Sequence, residues 1–110
     1  MACDVEGLIR QIVDFRDKRN WAQFHNPKDL ALGLSIEAAE LNEQFLWKSP
    51  DDADPVRVQE ELADVLIFAL MLLEKYGLDL EKIVLQKLAS NEEKYPVEKA
   101  RNSAAKYSDL

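Results

Sequence analysis

The chain has 110 residues, 47% hydrophobic and 32% charged, with only 3 Gly and 4 Pro, a composition that excludes disorder and suits one domain with its own core. Fourteen Lys and Arg against 21 Asp and Glu leave a net charge of -7 and no basic run, which argues against nucleic acid or an anionic membrane as the main partner. The single cysteine, Cys3, excludes an intramolecular disulfide, no secretory apolar region follows Met1, and the longest apolar stretch, Val65 to Leu73, is far short of a membrane span, so a soluble cytoplasmic protein is expected.

The hydrophobic periodicity is helical throughout, and no segment alternates as a strand does. Asp4 caps a first helix predicted to run to about Trp21, with Leu8, Ile9, Ile12, Val13 and Phe15 along its apolar stripe. Asn26-Pro27 joins a capping side chain to a proline at the first helical position and starts a second helix, predicted to reach Lys48. Ser49 to Asp54 is a polar breaker. Asp54-Pro55 repeats the start signal for a third helix, which ends near Tyr76 with Gly77 as its C′ residue. Asp79 caps a fourth helix that stops before Pro96, and residues 96–110 read as a tail or short arm. The expectation is an all-α, four-helix protomer forming a single domain over residues 1–110.

The third helix is apolar on every face from Val65 to Leu73. A helix in so small a bundle normally keeps one wet face. The simplest account is that one side packs within the protomer and another against a second subunit.

Two acidic pairs stand out, Glu37 with Glu40 on the second helix and Glu61 with Asp64 on the third. Each is spaced i, i+3, so both carboxylates share one helix face. Their flanks are apolar, Leu34-Ser35-Ile36 and Ala38-Ala39-Leu41 around the first pair, Leu62-Ala63 and Val65-Leu66-Ile67 around the second. Counting 100° per residue groups Gly33, Glu37, Glu40, Gln44 and, at the edge, Trp47 on one face, and Arg57, Glu61, Asp64 and Phe68 on the other. Antiparallel neighbours would bring both pairs to one level. Four carboxylates in a partly dry space repel one another, and an oxygen-only set favours a hard cation such as Mg2+ or Mn2+.

Solvated surface acids are the bland alternative, and Glu43, Glu60, Glu74, Glu81, Glu92 and Glu93 are read that way. A structural helical oligomer, with Arg57, Lys75 and Lys87 as ion-pair partners of the four acids, is another. A lone histidine such as His25, and Trp21, Phe24 and Trp47 taken singly, are more often structural than functional. Lys87 and Asn91 share a face of the fourth helix at i, i+4. No Glu-x-x-His, Gly-rich phosphate loop or Ser/His/Asp arrangement is evident.

Glu37-x-x-Glu40 followed after twenty residues by Glu61-x-x-Asp64 resembles the metal motif of the MazG-like all-α nucleoside triphosphate pyrophosphohydrolases, and within them the short, single-domain dCTP pyrophosphatase branch. The likeness extends to Trp21-Ala-Gln-Phe24-His25-x-Pro27, Glu40-Leu-x-Glu43-x-Phe45-x-Trp47-Lys48, Gln59-Glu-Glu61-Leu-x-Asp64-Val-Leu-Ile67, Lys94-Tyr95-Pro96 and Ala100-Arg101-x-Ser103-x-x-Lys106-Tyr107. It implies Mg2+-dependent cleavage of a (deoxy)nucleoside triphosphate, dCTP or a related dNTP, to the monophosphate and pyrophosphate, as house-cleaning of nucleotide pools. By the same likeness Glu37, Glu40, Glu61 and Asp64 are metal ligands and carry the catalysis. Trp21, His25, Trp47 and Phe68 shape the base pocket, and Lys87 and Asn91 contact phosphate or sugar. It also implies a homotetramer, a dimer of dimers, in keeping with the apolar third helix. A non-catalytic nucleotide-binding or regulatory helical module is the alternative.

Overall fold

The computed structural model describes residues 3–110, which fall into two compact units, the first ending at Gly77 and the second running Leu78–Leu110. In the first unit, α1 is Val5–Asp17, α2 is Pro27–Glu43 and α3 is Pro55–Lys75, with short 3-10 turns at Ala22–Phe24 and Pro50–Asp52. The second unit holds α4, Leu80–Lys94, a single-turn α5, Val97–Ala100, and a 3-10 turn at Tyr107–Asp109. No strand is present among the described residues. None of the described helices is long and apolar enough to cross a membrane.

All four expected caps form. Carboxylate or amide oxygens of Asp4, Asn26, Asp54 and Asp79 accept from the backbone N–H of Gly7 (2.9 Å), Asp29 (2.9 Å), Val56 (3.0 Å) and Lys82 (2.9 Å). Each satisfies one of the donors that a helix start leaves free. Pro27 and Pro55 stand at the starts of α2 and α3, where a missing N–H costs nothing. Gly77 closes α3 at φ 61°, the left-handed conformation that glycine takes without strain.

Both α1 and α2 stop earlier than their apolar patterns suggest. After α1 the chain turns through Asn20 at φ 52°, a conformation asparagine tolerates, and the Trp21 N–H returns to the Arg16 carbonyl at 3.1 Å. After Glu43 the ladder tightens. Gln44, Phe45 and Leu46 donate to carbonyls three residues back, at 3.1, 3.0 and 3.2 Å, and Trp47 adopts φ 60°. Phe45-Leu46-Trp47 therefore belongs to a turn, although it continues the apolar stripe. Beyond Pro96 the expected arm adds the α5 turn and folds back within its own unit, where Tyr107 meets Tyr95 edge-on at 6.0 Å and Lys94 lies 5.1 Å over the Tyr107 ring.

Helices α2 and α3 form an antiparallel hairpin, the main packing of the first unit, with α1 laid against α3. Leu30 (0% exposed), Met71 and Leu73 (6% each) form its dry centre. A buried arginine ties α1 to α3: Arg16 donates to Asp17 Oδ1 at 2.9 Å and to Glu74 Oε2 at 3.2 Å. Glu74 is thus half-buried and paired, a correction to its reading as a solvated surface acid. Many apolar side chains stay uncovered within the chain, among them Leu32 and Ile36 on α2 and Leu62 and Leu66 on α3.

Candidate metal centre

Two contacts fix how α2 and α3 slide past each other. At one end the Arg57 Nε donates to Gln44 Oε1 at 3.2 Å. At the other, the Phe68 ring lies against Gly33. Eleven residues separate the two contact points on each helix, from Gly33 to Gln44 and from Arg57 to Phe68. The acidic pairs between them therefore meet at the same level, Glu37 opposite Asp64 and Glu40 opposite Glu61.

Three of the four acids converge. Glu37, Glu61 and Asp64 each present a carboxylate oxygen, and these oxygens lie within 4.8 Å of one another. Oε2 of Glu37 and Oε2 of Glu61 are shut off from solvent and accept no hydrogen bond. Buried acceptors without a donor are rare, because each forfeits the water it gave up. Glu40 lies at the edge of this set, close enough to Glu37 and Glu61 to act on both. Burial, then contact with Glu40 and the charges of Glu40, Asp64 and Glu61, push the Glu37 carboxyl up to about 7. Burial and the charges of Glu40 and Asp64 likewise raise Glu61, with Arg57 pulling the other way.

No salt bridge joins the four acids to Arg or Lys among the described residues. Arg57 is engaged with Gln44. Within the first unit, then, the ion-paired structural reading finds no partner for these acids. The donor set fits a hard cation: all the candidate ligands are carboxylates, and two of them bury an oxygen that no donor satisfies. A rigid hairpin presenting such carboxylates defines a helical protein with a candidate divalent-cation centre.

The aromatic residues divide. Trp21 and His25, on the connection before α2, meet at ring centroids 6.5 Å apart, and His25 meets Phe68 of α3 at 6.5 Å. Phe15 extends the row, 5.8 Å from Trp21. His25 Nδ1 is buried without a partner, and burial, then the charges of Arg16 and Lys75, lower its pKa. Phe68 follows Asp64 by one helical turn, which sets this row beside the carboxylates. Trp47 is not brought into it; its side chain stands on the turn after α2, 95% exposed. Lys87 and Asn91 share one face of α4 with Ile83, Val84 and Leu88, in the second unit. Pattern reasoning did not find Arg16 or the role of Gly33. A glycine in mid-helix facing an aromatic was the available signal for the latter.

Comparison with known proteins agrees with this architecture. Residues 32–110 match the model of the MazG-like family. The chain is 40% identical to dCTP pyrophosphatase 1 of Rattus norvegicus and 38% identical to that of Homo sapiens, in each case over 96% of this chain and 67% of the relative. A crystal structure of a pyrophosphatase from Archaeoglobus fulgidus superposes with a TM-score of 0.80 at 39% identity, covering 87% of this chain and 95% of that one. The chain belongs to the MazG-like family and has its all-helical pyrophosphatase fold.

Proposed function

We propose that this chain is a nucleoside triphosphate pyrophosphohydrolase that converts dCTP, or a related dNTP, to the monophosphate and pyrophosphate, with Mg2+ held by Glu37, Glu40, Glu61 and Asp64. The observation that carries this reading is the convergence of carboxylates from α2 and α3, two of which also bury an oxygen without a donor. Names of the relatives supply the reaction class: dCTP pyrophosphatase 1 in the curated proteins and a pyrophosphatase among the solved structures.

When bound, the cation neutralises triphosphate charge and lowers the pKa of water. The chain's own groups do the rest. The hairpin holds its carboxylates in fixed register, so no reorganisation is needed when charge develops. One carboxylate takes the proton from the attacking water as its oxygen bonds to the α-phosphorus; the bond from that phosphorus to the bridging oxygen breaks, and pyrophosphate departs. Glu37, whose carboxyl is pushed up to about 7, lies within the range that suits proton transfer near neutrality, and Glu40 stands beside the converged set. Trp21, His25 and Phe68 receive the base. By family likeness alone, Trp47, exposed on the turn after α2, is read with the base pocket, and Lys87 and Asn91 of the second unit as phosphate or sugar contacts.

The exposed Leu32, Ile36, Leu62 and Leu66 support burial against further copies of the chain, as a dimer of dimers. The whole of residues 1–110 is read as one catalytic domain. A reducing cytoplasmic setting suits its lone exposed thiol, Cys3, and house-cleaning of nucleotide pools is the corresponding role. Purified protein given dCTP and Mg2+ is expected to release pyrophosphate and dCMP, and to stop when EDTA is added. Orthophosphate release, or turnover that survives EDTA, would reject the proposal.

A further inference from the structure

Gly33 sits in the middle of α2, where glycine is among the poorest helix formers. Its backbone gives no reason for that choice, because Gly77 is the only described glycine at positive φ. The reason lies across the hairpin. A Cβ at Gly33 would fall 2.8 Å from Phe68 Cδ1 and 2.9 Å from Cζ, with Cε1 closer still. Real side chains do not pack that closely, so the ring lies directly on bare α2 backbone. The same ring is the one whose centroid stands 6.5 Å from that of His25.

We infer that Gly33 is a positioning residue for nucleotide selection: by leaving α2 bare it seats the Phe68 ring, and that seat sets the separation of Phe68 from His25 in the base pocket. The inference rests on the reading of His25 and Phe68 as base-receiving residues. A side chain at position 33 has to drive the ring off α2, and its distance from His25 changes with it. Glu37 and Asp64 each stand one turn from these positions, so kcat on both nucleotides reports separately on any movement of the carboxylates.

The test is a cycle of Gly33→Ala, Phe68→Leu and the double variant, each assayed with Mg2+ for kcat and KM on dCTP and dATP. In a packed apolar pocket one methylene changes discrimination by roughly 10–200-fold. Gly33→Ala is therefore expected to change the dCTP to dATP ratio of kcat/KM by roughly tenfold, mainly through KM. In the Phe68→Leu background the same change should leave the ratio where Phe68→Leu alone put it, and should raise the melting temperature, since alanine favours the helix. An unchanged ratio in folded Gly33→Ala overturns the inference. If Gly33→Ala does not fold alone, the double variant decides: a ratio equal to that of Phe68→Leu supports action through the ring, and a further shift overturns it. A Phe68→Leu protein with unaltered base preference would instead reject the base pocket itself.

Discussion

Glu61→Gln is expected to lose activity by about a hundredfold to ten-thousandfold in kcat while the metal-free protein melts at a higher temperature than wild type. Both effects come from one observation, an Oε2 buried beside Glu37 and Asp64 with no donor to satisfy it. In the metal-free protein repulsion and desolvation outweigh the pull of Arg57 on that carboxylate, and an amide of the same shape removes the charge. With nucleotide and Mg2+ the amide is a poor ligand and cannot accept the proton. Glu37→Gln should behave the same way. Steady-state kinetics beside thermal unfolding in EDTA checks both halves, and a variant that loses activity and stability together would mean that Glu61 holds the fold instead of the cation.

The second large effect is a pH dependence that the cation reverses. Glu37 has its folded-state pKa pushed up to about 7 from an ordinary 4.5. Between those values the folded protein binds more protons than the unfolded chain, so metal-free stability falls as pH rises through that window. The penalty is absent below about 4.5 and complete above about 7. Other groups titrate over the same range, so the useful quantity is the melting temperature of Glu37→Gln minus that of wild type in EDTA. It should widen from pH 5 to pH 8. Mg2+ at about a hundred times its dissociation constant adds about 2.7 kcal/mol, roughly 10 °C for a chain of this length, and adds more at pH 8 than at pH 5. A gap independent of pH, or a Mg2+ shift equal in wild type and Glu37→Gln, would separate Glu37 from cation binding.

Much of the scaffold is written locally. Asp4, Asn26, Asp54 and Asp79 mark helix starts because a cap needs only one side chain and the next three residues. The level of the acidic pairs is legible too, because i, i+3 spacing fixes a face and a short connection makes α2 and α3 antiparallel neighbours. What escaped depends on contacts between distant residues. Arg16 and Glu74 lie 58 positions apart, and neither has a local signature of burial. Phe45-Leu46-Trp47 keeps helical spacing, yet the tightened ladder after Glu43 ends α2. Glu40 shares the face yet stands outside the three converged oxygens, because helix spacing fixes where a side chain starts and not where its carboxylate ends. Lys87 and Asn91 keep their shared face of α4, as their spacing requires.

Carboxylates across the α2–α3 hairpin are expected to direct water onto the α-phosphorus of a nucleoside triphosphate. The most direct test is hydrolysis of dCTP with Mg2+ in 18O-enriched water, with both products analysed by mass spectrometry. One 18O in dCMP and none in pyrophosphate is the predicted result. Label in pyrophosphate would place the attack on the β-phosphorus and contradict the account.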